Sequence, residues 1–237
     1  AEGNHTSTIT HATASADGFY NGLGVADVIA HITDNDTPGV TIAESGGSTN
    51  VAEGGGADTY TVVLTSEPAD DVVITITTDG QTTADPASLT FTAADWSVPQ
   101  AVSVTAVDDA VAEGNHTSTI THSAASADGF YDGIAVADVI AHITDNDTAG
   151  VTVAESAGST HVVEGGVTDT YTVVLTSEPT VDVTVTITTD GQTTVDPASL
   201  TFTAADWNAP QTVTVTAVDD AVAEGDHTST IAHAVAS

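Results

Sequence analysis

The sequence predicts an all-β protein made of tandem seven-stranded antiparallel β-sandwiches. β-branched residues alternate at a period of two in runs such as "TYTVVLT" (59–65) and "DVVITITT" (71–78), which is typical of half-buried strands. Turn residues separate these runs, as in "SEPAD" (66–70) and "TDGQ" (78–81), and no stretch shows a convincing helical period. Seven short strands in about 110 residues indicate a sandwich.

Each predicted strand is short and rich in Val, Ile or Thr. Hydrophobic residues make up 40% of the chain and charged residues only 14%, so a strand-built core is expected rather than a disordered acidic tail. Most of the aromatic residues are expected to pack in that core. In chain order the strands are expected at 40–42, 59–65, 71–78, 88–92, 101–107, 116–122 and 134–144.

The chain repeats itself with a period of 111 residues. "AEGNHTSTITH" starts at Ala1 and again at Ala112, "AEGDHTSTI" starts at Ala223, and 32 of 37 positions agree between 1–37 and 112–148. A period of this length is the size of a domain. We therefore predict the C-terminal part of one repeat, a complete repeat and the N-terminal part of the next, at 1–37, 38–148 and 149–237.

The charge of the chain is entirely one-sided. It has 34 acidic residues, no Lys or Arg, and a formal net charge of -34. Nucleic acid is therefore not expected as a partner, because binding phosphates needs a basic face, and neither is an anionic membrane surface. No apolar run is long enough for a transmembrane helix.

Cysteine and methionine are both absent. This composition suits an oxidation-resistant extracellular protein, such as one on a bacterial cell surface. The chain starts at Ala and has no basic segment typical of a signal peptide. We therefore expect it to be a piece of a longer array.

The acids of the complete repeat concentrate at strand ends. Tracing the strands up and down places these ends at one pole of the sandwich. Clustered carboxylates repel by about 1 kcal/mol per pair at 4 Å in water, and by about 4 at an effective dielectric of 20. Their oxygens are hard ligands of the kind that Ca²⁺ prefers, whereas Mg²⁺ demands octahedral geometry and zinc would want Cys or His. The residues are Glu53, Asp85, Asp108, Asp109, Glu113, Asp145, Asn146 and Asp147.

Four stretches together resemble the Calx-beta domain: "VAEGGGADTYTVVLTSEP", "TTDGQTTADPASLTF", "VTAVDDAVAEGNHT" and "VIAHITDNDTAG". That family includes the calcium-binding domains of sodium/calcium exchangers and many repeats of large bacterial surface proteins. The resemblance implies a seven-stranded immunoglobulin-like sandwich. It also implies calcium ligands at the eight residues above and at the carbonyl of Val111. The family has Asp where this chain has Asn146, and the lost charge would weaken or remove one ion of a multi-ion cluster.

The resemblance extends to both partial repeats. It implies further ligands at Glu164, Asp196, Asp219, Asp220, Val222 and Glu224 in the C-terminal repeat, and at Glu2, Asp34, Asn35 and Asp36 in the N-terminal one.

The sequence offers three other kinds of site, namely histidine pairs, a further acidic loop and paired catalytic acids, and a simpler interpretation is expected for each. His116 and His122 lie six residues apart on one strand, about 20 Å by strand rise, and so cannot share a metal; a pair formed by His142 with one of them is expected to be structural. The loop "SADGFYDG" (126–133) is expected to be a turn, with a second, minor calcium loop as the alternative. Asp108 and Asp109 point to opposite faces of a strand, and no catalytic motif was found, so an enzyme is not expected.

The function expected from these features is structural. Calcium next to the short linkers would stiffen a string of repeats in an extracellular filament, adhesin or biofilm matrix. The alternative is a module that binds a ligand or a surface glycan. Self-association of neighbouring repeats or chains into a fibre is also expected, either along one continuous chain or by strand exchange between molecules.

Overall fold

The computed structural model describes residues 2–237, which form mainly β-strands. Within these residues the only helical elements are the short 3-10 turns Ser45–Gly47 and Ser156–Gly158, and neither has the length or apolar character to cross a bilayer. The predicted all-β class is confirmed. The strands are β1 (His5–Ile9), β2 (Val28–Ile32), β3 (Val40–Glu44), β4 (Thr49–Ala52), β5 (Asp58–Leu64), β6 (Val72–Thr78), β7 (Thr82–Asp85), β8 (Ser88–Phe91), β9 (Gln100–Ala106), β10 (His116–Ser126), β11 (Val139–Thr144), β12 (Val151–Glu155), β13 (Asp169–Leu175), β14 (Val183–Thr189), β15 (Thr193–Asp196), β16 (Ser199–Phe202), β17 (Gln211–Ala217) and β18 (Ile231–Ala236).

The chain divides into two compact units. The first, called unit 1, runs up to Val107 and includes Thr117–Ile143. The second, called unit 2, consists of Asp108–His116 and Thr144–Ser237.

Unit 1 contains a β-sandwich. One sheet has the strand order β3-β5-β9-β7 and the other has the order β4-β11-β10-β6-β8. The registered pairs in both sheets are antiparallel. Residues from both sheets form one core, which confirms the predicted sandwich.

Each of the seven predicted strands of the complete repeat has a counterpart. Two further short strands, β4 and β7, were not predicted. Both have four residues and at most one Val, Ile, Leu or aromatic side chain, whereas the equally short β8 has Leu89 and Phe91. The last strand begins at Val139 rather than at 134, and β10 continues to Ser126.

Burial in the strands follows the period of two that the sequence shows. In β5 the buried residues are Tyr60, Val62 and Leu64, and in β9 they are Val102 and Val104. Each fully buried Val or Ile stabilises the fold by about 1.5–3 kcal/mol relative to an exposed side chain. The alternating pattern therefore both predicts the strands and supplies the energy that closes the sandwich.

The aromatic residues of the complete repeat differ in burial. Tyr60, Phe91 and Tyr131 are fully buried, whereas Phe130 is exposed. The Tyr131 hydroxyl donates a hydrogen bond to the Ser66 carbonyl oxygen (2.6 Å) and accepts one from the Ser66 backbone N–H (3.1 Å). Tyr131 thereby ties the loop before β11 to the loop after β5.

Unit 2 contains a second, smaller pair of sheets. Their strand orders are β12-β13-β17-β15 and β16-β14-β18. Its core repeats that of unit 1, with Tyr171, Val173, Val185, Phe202 and Val213 buried. Among the residues described for unit 2, no strand occupies the place that β11 takes in unit 1.

The N-terminal part of unit 1 is a separate two-stranded sheet of β1 and β2. The strands are antiparallel, with His5 opposite Ile32 and Ile9 opposite Val28. Ala30 is half-buried and every other residue of the two strands is exposed. An eighteen-residue connection (10–27) without a strand joins them.

Candidate metal centre

The loop Asp108–His116 carries the first group of predicted ligands, and its shape is set by its own acids. The Asp109 carboxylate accepts a hydrogen bond from the Val111 backbone N–H (2.8 Å), which turns the chain after β9. Gly114 then adopts a positive φ of 73°, a conformation that favours glycine. The chain enters β10 at His116, whose Nε2 lies 3.5 Å from a Glu113 carboxylate oxygen.

The segment Asp145–Asp147 is held against this loop. The Asp145 carboxylate accepts hydrogen bonds from the backbone N–H groups of Gly114 (2.5 Å) and Asp147 (2.7 Å). The Asn146 side-chain amide donates to an Asp108 carboxylate oxygen (3.0 Å). Two groups of predicted ligands that lie 30 or more residues apart in the sequence are therefore brought together.

Asn146 moderates the repulsion within this group. A third aspartate here would place another carboxylate beside Asp108, whereas the amide N–H group of Asn146 offers Asp108 a hydrogen bond. The neutral amide therefore lowers the negative charge beside Asp108, and a weakened multi-ion cluster remains a prediction.

Asp147 has a buried carboxylate oxygen and lies among like charges. Its Oδ2 atom is buried and has no hydrogen-bond partner among the described residues. Burial raises the pKa of Asp147, and the neighbouring carboxylates of Asp145, Asp108 and Asp109 raise it further. A buried carboxylate oxygen surrounded by like charges is stabilised by a bound cation.

The donor set fits calcium. The carboxylate of Asp147 lies near those of Asp145, Asp108 and Asp109, Glu113 lies on the same loop as Asp108 and Asp109, and the chain has no thiolate. Calcium takes six to eight such oxygens, from side chains, carbonyls and water. A bound ion would supply the positive charge that the chain lacks.

The same loop contacts the following repeat. The Ala110 carbonyl oxygen accepts a hydrogen bond from the Glu178 backbone N–H (2.7 Å). Val111, the predicted carbonyl ligand, forms an isolated parallel bridge with Glu178. The loop that carries the acids is therefore also the loop that joins two repeats.

Two predicted ligands of the complete repeat lie in unit 1. Glu53 follows β4 and is only 5% exposed, an unusual degree of burial for a carboxylate. Asp85 ends β7, is exposed and precedes a cis peptide bond to Pro86.

The C-terminal repeat shows the corresponding arrangement within unit 2. Glu164, Glu224 and His227 each offer a ligand atom, and these atoms lie within 4.8 Å of one another. The Asp220 carboxylate accepts a hydrogen bond from the Val222 backbone N–H (2.7 Å), as Asp109 does in the preceding repeat. The other two predicted ligands of this repeat are positioned differently: Asp219 lies beside Gly165, next to Glu164, and Asp196 ends β15.

The histidines of this group were not predicted as site residues. His227 Nε2 lies 3.6 Å from Glu224, and the equivalent His5 lies 3.9 Å from Glu2. The pKa of His227 is raised by its hydrogen bond to the Gly225 carbonyl oxygen and by nearby carboxylates, including Glu224. The signal in the sequence was the spacing Glu-x-x-His, which recurs in all three repeats.

The N-terminal repeat has an equivalent arrangement within unit 1, in which Glu2 lies against Asp34–Asp36. We call this arrangement an acidic corner. The Asp34 carboxylate accepts hydrogen bonds from the backbone N–H groups of Glu2 (2.9 Å), Gly3 (2.7 Å) and Asp36 (2.9 Å). These bonds, led by those from Asp36 and Gly3, lower the pKa of Asp34. A hollow of about 380 Å³ lies here, and its walls come from both this repeat and the next: Glu2, His5, Ile32, Thr33, Asp34, Asn35, Asp36, Glu67, Pro68 and Ala69.

The loop 126–133 is a turn. The Asp128 carboxylate accepts hydrogen bonds from the backbone N–H groups of Ala69 (2.9 Å) and Phe130 (2.9 Å). The Asp128 carboxylate therefore caps these two backbone N–H groups, which is a structural role. His122 likewise has structural partners, since its ring nitrogens lie 2.9 Å from the Tyr60 hydroxyl and 2.9 Å from the Ala137 carbonyl oxygen.

Comparison with known proteins gives similarity at the level of the fold. No protein-family model matches the chain, and no curated protein matches it. Among solved structures, the chain is similar to CBD12 from CALX1.2, with 16% identity and a TM-score of 0.35 over 81% of this chain and 79% of that one. It is also similar to the calcium binding domain CBD12 of CALX1.1, with 18% identity and a TM-score of 0.33 over 76% of each chain. The E. coli chaperone DraB matches at 8% identity with a TM-score of 0.36, over 70% of this chain and 87% of that one. No family assignment follows from these similarities.

Proposed function

We propose that this chain is a calcium-stabilised structural segment of an extracellular filament, adhesin or biofilm matrix. The observation that carries the proposal is the double use of the loop Asp108–His116. It carries predicted ligands that are held to Asp145–Asp147, and it pairs with Glu178 of the next repeat. An ion bound to these acids would fix the loop and, through it, the junction between repeats.

A second junction supports the same interpretation. In unit 1, Glu2 and Asp34–Asp36 of the N-terminal repeat line one hollow together with Glu67–Ala69 of the complete repeat. Glu67 and Glu178 are equivalent positions of the 111-residue period. An acidic corner beside this loop of the following repeat is therefore a recurring feature, as a string of braced domains requires.

The extracellular setting and the strongly acidic composition of the chain are parts of the same proposal. A chain with 34 acids and no Lys or Arg repels itself unless cations are present. Calcium outside the cell would make the array stiff there, and the absence of Cys suits an oxidising setting. The function is mechanical, and we ascribe no catalytic step to the chain.

The test is a calorimetric titration of the chain with CaCl₂, with MgCl₂ as the comparison ion. We expect saturable calcium binding that Asp145→Asn weakens at least about tenfold, because the Asp145 carboxylate accepts hydrogen bonds from both ligand segments. The matched control is Asp70→Asn, which removes the same charge from an exposed turn. Equal calcium affinity in the two variants would show diffuse counter-ion binding and overturn the proposal.

The alternative of a glycan-binding module is separated by the same chain on a glycan array. Specific glycan binding that is unaffected by a calcium chelator would support that alternative. We expect no such binding.

A further inference from the structure

Each linker between repeats ends in a threonine, one variable residue and a glycine. These segments are 37–39, the end of "TDNDTPG", and 148–150, the end of "TDNDTAG". Both contact the motif "TSEP" of the following repeat, at 65–68 and 176–179 respectively. We call each copy of this motif a TSEP turn.

In unit 1 a single threonine of the TSEP turn holds both ends of the linker segment. The Thr65 hydroxyl donates a hydrogen bond to the Thr37 carbonyl oxygen (2.7 Å). The Thr65 backbone N–H donates to the Gly39 carbonyl oxygen (2.9 Å). We call this pair of bonds the threonine clamp.

The same clamp is present in unit 2. The Thr176 hydroxyl donates to the Thr148 carbonyl oxygen (2.6 Å), and the Thr176 backbone N–H donates to the Gly150 carbonyl oxygen (2.9 Å). The two linkers differ between these bonds, with Pro at 38 and Ala at 149. The clamp is therefore a repeated feature that does not depend on the middle residue.

The clamp also explains why each linker ends in glycine. Neither Gly39 nor Gly150 has a φ in the left-handed region, so the backbone conformation does not require glycine. A Cβ atom would lie 2.9 Å from Thr65 Oγ1 at the first position and 3.0 Å from Thr176 Oγ1 at the second. Threonine is stiff at χ1, so its hydroxyl cannot turn away without losing the bond to the linker carbonyl.

The TSEP turn of unit 1 is itself fixed to the core of its own repeat. Ser66 is only 3% exposed. Its hydroxyl, backbone N–H and carbonyl oxygen lie 2.8, 3.1 and 2.6 Å from the Tyr131 hydroxyl oxygen. The next turn residue with such an anchor is Ala69, whose N–H donates to the buried Asp128 carboxylate (2.9 Å). Thr65 is therefore presented to the linker by an anchored turn.

In unit 2 the same turn also holds the acidic loop. The Glu178 backbone N–H donates to the Ala110 carbonyl oxygen (2.7 Å), two residues after Thr176. All of these bonds are made by backbone groups and a hydroxyl group. Because none of these groups carries a net charge, the bonds form without a cation.

We propose that the threonine clamp makes each linker a fixed joint in the absence of any bound ion. The TSEP turn of one repeat is the docking surface, and the end of the linker that leaves the preceding repeat is its partner. Like charges at Asp145 and Asp147, directly before the linker segment, favour a more open arrangement, and the clamp opposes it. An ion would add to this joint without creating it, so the inference does not rest on the proposed function.

The test is NMR spectroscopy of the full 237-residue chain, labelled with ¹⁵N, in EGTA. Backbone order parameters of residues 148–150 are expected to be about 0.85, the value of a rigid backbone. The Thr176 amide is expected to be protected from hydrogen exchange, because it donates to the Gly150 carbonyl oxygen.

Thr176→Val removes the hydroxyl and keeps the size of the side chain. It is expected to speed amide exchange at position 176, relative to the intrinsic rate, at least about tenfold. Thr176→Ser retains the hydroxyl and is expected to stay within about threefold of the unaltered chain. The matched control is Thr201→Val, at an exposed threonine of β16, with an expected change of at most about twofold. The Thr65 amide of the other junction is expected to stay unchanged in all three variants.

Gly150→Ala attacks the same contact from the other side. It is expected to speed exchange at position 176 at least about tenfold, because the new Cβ meets Thr176 Oγ1. In a chain that already carries Thr176→Ala, the same change is expected to add at most about twofold, because the obstructing oxygen is gone. Circular dichroism checks that every variant remains folded.

The proposal is overturned if the order parameters of 148–150 in EGTA are below about 0.6, the range of a flexible backbone. Equal exchange in Thr176→Val and Thr201→Val, or additive effects of Gly150→Ala and Thr176→Ala, would overturn it as well. A linker that is flexible in EGTA and ordered by calcium supports the proposed function and removes the clamp. An ordered linker in EGTA in a chain that binds no calcium supports the clamp and removes the calcium function.

Discussion

The complete repeat and the C-terminal repeat have closely similar sequences over the strands they share, yet they differ along one edge. In the complete repeat β11 is present, Ile120 is fully buried and Glu53 is buried. In the C-terminal repeat the equivalent Ile231 is only partly buried and Glu164 is exposed. The presence of β11 therefore coincides with strand formation in β4 and β10 and with the burial of Glu53.

The largest expected effect comes from placing one substitution in two copies of the same segment. Ala141→Asp puts an unpaired charge at a fully buried position of β11 and is expected to destabilise the complete repeat by about 4 kcal/mol or more. Ala30→Asp, the identical change in β2, is expected to alter stability by at most about 0.5 kcal/mol in dilute solution. Urea unfolding followed by Trp96 fluorescence measures both, and equal effects would break the comparison.

A smaller effect is expected from removing equivalent core side chains. Ile120→Ala is expected to cost about 2–5 kcal/mol, because Ile120 is fully buried and leaves a cavity. Ile231→Ala is expected to cost about half as much or less, since Ile231 is only partly buried beside the groove. Each repeat has one tryptophan, Trp96 or Trp207, so fluorescence of chains with the other replaced by Phe assigns each loss. A larger loss at Ile231 would contradict the account.

A hydrogen bond near β11 is expected to contribute less again. Tyr131→Phe removes the hydroxyl that bonds to the Ser66 carbonyl oxygen and backbone N–H. Leaving these buried groups without that partner is expected to cost about 1–3 kcal/mol. Denaturation of the complete repeat measures the loss, and Phe130→Leu at the exposed neighbouring position is the control. An unchanged midpoint for Tyr131→Phe would show that water replaces the hydroxyl.

The smallest expected effect concerns acid stability and should be shared by the two repeats. The pKa of Asp79 is lowered from its ordinary 3.8 by hydrogen bonds from the Ser118 hydroxyl and the Thr119 backbone N–H. The pKa of the equivalent Asp190 is lowered by Ser229 and Thr230. A lowered folded-state pKa stabilises the fold above about pH 4, and this contribution is lost as the pH falls through the folded-state value.

Asp79→Asn and Asp190→Asn are therefore expected to flatten the fall in stability below about pH 4, each in its own repeat. Denaturant midpoints from pH 2.5 to pH 7 test this. The two turns are alike. Unequal effects would therefore show that the lack of a second strand beside β18 also disturbs the turn at Asp190.

Sequence reasoning recovered the features that depend on local pattern. The alternation in β5 and β9 predicted the sandwich, and the period of 111 residues predicted equivalent acids in each repeat. It missed β4 and β7, which are short and carry at most one Val, Ile, Leu or aromatic side chain each. It also missed His116 and His227 as neighbours of the site acids Glu113 and Glu224. His116 was considered only as a partner of other histidines, and His227 was not considered.

Some properties of the site depend on neighbours that lie far away in the sequence. The donation from Asn146 to Asp108 and the bridge between Val111 and Glu178 join segments 38 and 67 residues apart. The buried Oδ2 of Asp147 is likewise a result of packing. These contacts follow from how the loops meet, which alternation and motif spacing do not specify.

The most direct test of the central claim is the thermal unfolding of the unaltered chain and of Asp147→Asn, each in EGTA and in millimolar calcium. Calcium at about 100 times its dissociation constant stabilises a folded protein by about 2.7 kcal/mol per site. The unaltered chain is therefore expected to melt at a higher temperature in calcium than in EGTA. Asp147→Asn relieves repulsion at a buried carboxylate, so it is expected to raise the Tm in EGTA and to reduce the gain from calcium. A Tm that is the same with and without calcium in both chains would contradict the account.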